Sequence, residues 1–132
     1  MKAFEEYIEG AREVTLDNGS VVEVPPLTWG KELKLYNIIT KVFSKLSVTT
    51  DEEGKPQFDE SQIYSFMTSF ANDVSEIASI VFGKDKKWVE SNLTSKDMVE
   101  FVVPLSLHIF GKLNLGLSNA VTKLAEGGEE TP

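Results

Sequence analysis

Arg12-Glu13-Val14-Thr15-Leu16-Asp17-Asn18-Gly19-Ser20-Val21-Val22-Glu23-Val24-Pro25-Pro26 is the stretch whose period sets it apart from the rest of the chain. Val14 and Leu16 alternate with Glu13, Thr15 and Asp17, and Val22 and Val24 alternate with Val21 and Glu23, which is the period of half-buried strands. Asn18-Gly19 supplies positive φ angles for a tight hairpin turn, and Pro25-Pro26 ends pairing by withdrawing two backbone donors. A lone hairpin cannot bury a face by itself. It must lie on helices or pair with the edge of another copy, and Val14, Leu16, Val22 and Val24 are the candidate assembly edge.

Working outward, helical periods take over on both sides. Phe4, Tyr7 and Ile8 share a face ahead of Gly10, predicting a short first helix. Downstream, Thr28 caps a helix with Glu32 near its positive end. Trp29, Leu33, Tyr36 and Phe43 line one side of it and Leu35, Ile39, Val42 and Leu46 an adjacent one, so burial around most of its circumference is expected. Ser47 to Phe58, with Gly54 and Pro56, reads as a flexible loop. Asp59 and Gln62 form a capping box for a second long helix striped by Ile63, Phe66, Phe70, Val74, Ile77 and Val81 and ended by Gly83.

A short helix from Asp85 to Glu90 comes next, broken at Ser91-Asn92, and Thr94 with Asp97 caps a last helix. Val99, Val103, Phe110, Leu113, Leu117 and Leu124 repeat along that helix at heptad-like spacing, with Pro104 as a kink or restart. The pattern predicts a mainly α, compact helical domain of three to five helices with one N-terminal β-hairpin. A single domain is expected over 1–125 with the hairpin at about 12–24, and a flexible acidic tail over 126–132.

Composition narrows the function classes. The 132 residues suit one core, and 41% hydrophobic content with eight Phe excludes wholesale disorder. Twenty-one acidic against 13 basic side chains give a net charge of -8. That field repels phosphate and anionic lipid, so neither nucleic acid nor a membrane surface is expected as a partner. No cysteine is present, which removes disulfides, thiolate metal ligation and a cysteine nucleophile. The acidic start Met1-Lys2-Ala3-Phe4-Glu5-Glu6 lacks the basic-then-apolar order of a signal peptide. Met98 to Leu117 is interrupted by Glu100, Pro104, His108 and Lys112, so no membrane span is expected.

Reactive chemistry is sparse. His108 is the sole histidine, too few for a multi-histidine zinc site, and no Ser and acid motif completes a triad; it is read as a partly buried structural residue. Asp51-Glu52-Glu53 lacks EF-hand spacing and is read as a solvated loop. The glycines provide no phosphate cradle. Lys84, Lys86 and Lys87 beside Trp88 could stack on a base, but are read as a solvated helix start with Trp88 turned inward. No catalytic residue, metal or cofactor is expected. What remains is apolar surface left over after the core is filled. Phe110, Leu113, Leu117 and Leu124 are the candidate client-binding residues, the alternative being that they complete the core.

Three segments come after the hairpin in order: Val24-Pro25-Pro26-Leu27-Thr28-Trp29-Gly30-Lys31-Glu32-Leu33, then Val81-Phe82-Gly83-Lys84-Asp85-Lys86-Lys87-Trp88-Val89-Glu90-Ser91-Asn92-Leu93-Thr94, then Val102-Val103-Pro104-Leu105. Together they resemble the small tail assembly chaperones of long-tailed phages and prophages of Gram-positive bacteria. The resemblance implies a non-catalytic protein in the cytoplasm of the bacterial host. Such a protein binds the long helical tape measure protein, keeps it soluble, assists assembly with the tail tube protein, and can self-associate. It also implies a longer product made by frameshifting, which the acidic end Gly127-Gly128-Glu129-Glu130 would suit as the shorter of the two. Net charge alone suggests a different function, an acidic nucleic-acid-mimic inhibitor of a DNA-binding protein.

Overall fold

The computed structural model describes residues 2–10, 12–53 and 55–113. The chain opens with helix α1 (Lys2–Ile8), and the hairpin comes next as β1 (Glu13–Thr15) and β2 (Val21–Glu23). Register pairs Glu13 with Glu23, Val14 with Val22 and Thr15 with Val21. The mainly α fold with an N-terminal hairpin is therefore the observed one. The turn differs in detail from the expected two-residue form. Gly19 has φ +89° but Asn18 does not share the positive region. The Gly19 amide donates to Leu16 O at 2.9 Å and the Leu16 amide to Ser20 O at 2.8 Å. A three-residue loop ending in a left-handed glycine results.

Helix α2 (Trp29–Lys45) starts where Thr28 Oγ1 accepts the Lys31 amide. Its buried side is Leu35, Ile39, Val42 and Phe43. Trp29 and Leu33, expected on a buried side, are 68% and 44% exposed. The segment expected to be a flexible loop contains a second, two-rung ladder, β3 (Thr49–Thr50) with β4 (Pro56–Gln57). Asp51 organises its loop, Oδ1 accepting the amides of Glu53 and Lys55, both at 2.9 Å.

The capping box of Asp59 and Gln62 opens α3 (Glu60–Ser69) as expected. The long helix it was to begin is broken at Phe70 (φ -121°, ψ 33°), and α4 (Ala71–Phe82) resumes after it. This break brings the described helices to six, against the expected three to five. Thr68 Oγ1 donates to Tyr64 O at 2.8 Å just before the break. Such back-bonding bends helices, and the run Thr68-Ser69-Phe70 has little intrinsic helix preference to resist it.

Gly83, at φ +65°, ends α4, and α5 (Lys86–Asn92) begins with Asp85 as its cap. Helix α6 opens at Ser95–Asp97, passes through a π-helical turn at Met98–Val102 and continues as α-helix over 103–113. The π turn is how the chain accommodates Pro104. The Val103 amide reaches back five residues to Met98 O. The widened turn relaxes the contact between the proline ring and the carbonyl four residues earlier.

One hydrophobic cluster gathers these elements. At its centre Phe43 has ring-centroid distances of 5.1 Å to Phe58, 5.5 Å to Phe66 and 5.0 Å to Phe110. Tyr7 of α1 packs edge-on against Phe101 of α6 at 5.6 Å. Among the described residues no helix is long and apolar enough to cross a membrane.

Candidate functional site

The residues singled out by sequence separate into buried and exposed sets. Phe110 is 8% exposed and packs on Phe43, so it belongs to the core and is not offered to a client. Leu113 is half-buried against the same cluster. Leu117 and Leu124 lie outside the described residues, as does the acidic tail at 126–132. The hairpin also turns its apolar side inward: Val14, Leu16 and Val24 are buried and Val22 is half-buried. These four side chains thus form the core-facing surface of the hairpin, while its edges are formed by the strand backbones. Its solvent side carries Glu13 opposite Glu23, a like-charge pair that works against the ladder it sits in, so the buried apolar side has to hold the hairpin.

Polar contacts clamp the hairpin turn onto the start of α6. Asp97 is 9% exposed, and its Oδ1 accepts the Asp17 amide at 2.9 Å while Oδ2 accepts the Thr94 amide at 3.0 Å. Thr94 Oγ1 donates to Asp17 Oδ2 at 2.9 Å. Asn18 Nδ2 adds a bond to Asn92 O at 3.4 Å. Thr94 and Asp97 are legible in sequence as a helix cap, but that the same carboxylate holds the hairpin is not, because a partner 80 residues away leaves no local signal.

His108 is exposed on one side, with its ring edge-on to Phe4 at 6.1 Å. Burial of its packed side lowers its pKa, the Lys112 ammonium adds to this, and Glu32 opposes. Together with Phe4, Pro104 and Leu107 it lines an open, largely apolar cleft of about 440 Å³. Among the described residues no group of three His, Asp or Glu side chains could hold a metal. Trp88 packs on Phe82 at 5.8 Å, with Lys84 Nζ 5.7 Å from its ring centroid, so its stacking surface is partly used internally.

Among the described residues, large apolar side chains stay exposed on several elements, Ile8 of α1 and Val99 of α6 included. Trp29 and Leu33 are exposed one turn apart on α2, Tyr64 stands out on α3 at 70% and Val21 on the hairpin at 60%. A sequence signal for the exposure of Trp29 and Leu33 exists in the remainder of their stripe. Asn37, Lys41 and Lys45 continue it at the same spacing, and a stripe that becomes polar and cationic faces water.

No protein-family model, curated protein or solved structure matches this chain.

Proposed function

We propose that this protein is a non-catalytic tail assembly chaperone of a long-tailed phage or prophage, which binds the tape measure protein, keeps it soluble and assists tail tube assembly in the bacterial cytoplasm. The observation that carries the reading is the order of segments along the chain: hairpin, Val24 to Leu33, Val81 to Thr94, and Val102 to Leu105. The mainly helical fold with uncovered apolar residues on α2 is compatible with it, since a long helical client presents apolar side chains at helical spacing.

Two tests apply. The gene should sit between a tail tube gene and a very long reading frame that codes for a helical protein. Co-expression of that long protein with this chain should bring it into the soluble fraction and into a purifiable complex. A long protein equally soluble alone, or no complex on purification, overturns the proposal.

A further inference from the structure

The outer side of α2 has a polarity that neither the core nor the cap requires. Every fourth residue from its start is exposed: Trp29, Leu33, Asn37, Lys41 and Lys45. The first two are apolar and the last two cationic. At about 1.5 Å and 100° per residue, the centre of the apolar pair lies roughly 18 Å along the axis from the centre of the lysine pair and about 120° around it, so the row winds obliquely across the exposed side. Lys34 and Lys31 add to the positive character of this helix, which carries one acid, Glu32, in a protein of net charge -8. Glu32 is turned aside to Lys112 of α6, with Oε2 3.3 Å from Nζ. Lys41 pairs with Asp73 at 3.2 Å, while Lys34 and Lys45 have no ion-pair partner among the described residues.

We infer that this ridge is the client-docking surface of the chaperone, and that it takes an amphipathic helix of complementary polarity. The docking segment carries apolar residues three or four apart at one end, to lie over Trp29 and Leu33. That helix crosses α2 obliquely along the row, and acidic residues about three to four turns farther along it face Lys41 and Lys45. Charge complementarity selects the partner's chemistry. A cationic strip on an acidic protein attracts an acidic helix while the remaining surface repels it, which fixes the orientation of docking. The inference rests on the chaperone reading, and its test separates the two.

The long client would be co-expressed with wild type, with Trp29→Ser/Leu33→Ser, and with Lys41→Gln/Lys45→Glu, where Gln avoids setting a second acid beside Asp73. Overlapping peptides tiled along the client would then be titrated against each protein. Wild type is expected to bind peptides of the stated pattern. The apolar double variant should weaken binding at least tenfold, and the charge variant should weaken it several-fold and flatten its salt dependence. Circular dichroism checks folding, and Leu33→Ser alone substitutes if the double variant does not fold. Folded variants that bind like wild type overturn the ridge but leave the chaperone function standing. A wild type that neither solubilises the client nor binds any peptide overturns both. Loss of a wild-type dimer in the apolar variant with client binding unchanged makes the ridge a self-association surface and also overturns the inference.

Discussion

At Asp97 one carboxylate caps α6 and holds the turn of a hairpin 80 residues earlier. Charge-assisted bonds of this kind contribute more than neutral ones, and a lost cap adds to the deficit. Asp97→Ala should therefore cost about 2 kcal/mol in urea unfolding. Asp97→Asn should not restore the loss, because both oxygens accept amides and the new NH2 would face one of those donors. His108 gives a pH-dependent prediction. Its pKa in the folded chain is lowered from the ordinary 6.5, first by burial and then by Lys112. The unfolded chain therefore takes up this proton first as pH falls. The His108 contribution is intact above the unfolded value, and stability is lost as pH drops below it until the folded imidazole protonates too. Replacing His108 with Gln should make the fall in thermal midpoint from about pH 7.5 to pH 5 slightly shallower; an unchanged slope would count against the assignment.

The elements show where local pattern suffices and where it fails. Capping boxes at Asp59 and Thr94 were readable because both partners lie within one turn. Gly83 was readable as a helix end for the same reason, but its surroundings were not: a Cβ there would meet Pro25 Cγ at 3.2 Å. Gly83→Ala is expected to destabilise by about 1–2 kcal/mol, the cost of a side chain in the left-handed region. The contact with Pro25 works in the same direction. The break at Phe70 and the π turn before Pro104 are compromises within helices, where side-chain hydrogen bonding and a missing amide act against continuous periodicity.

For the molecule as a whole, the aromatic cluster and the α2 ridge should respond in opposite ways. Phe43 is fully buried among Phe58, Phe66 and Phe110, so Phe43→Ala should cost about 3–5 kcal/mol. Phe110→Ala should fall toward the same range, whereas an exposed client contact would show almost no loss of stability. Trp29→Ser/Leu33→Ser, at exposed positions, should stay within about 0.5 kcal/mol per site by chemical denaturation. The partly exposed pair Lys41–Asp73 is expected to contribute at most about 1 kcal/mol, read by a double-mutant cycle.

The sequence by itself determined the hairpin's existence, the helix starts at Thr28, Asp59 and Thr94, and the end at Gly83. Each depends on groups within one turn of one another, where residue type and spacing decide the outcome. Tertiary structure alone decided which apolar side of α2 is core, that Phe110 is spent inside the domain, and that the hairpin turns Val14, Leu16 and Val24 inward while Asp97 anchors its turn. The physical reason is that an apolar stripe specifies burial but not its partner. With two adjacent apolar sides on one helix, the choice falls to whichever packs against the aromatic cluster brought in from α3 and α6. Trp29 and Leu33, on the side of α2 away from that cluster, are left at the surface.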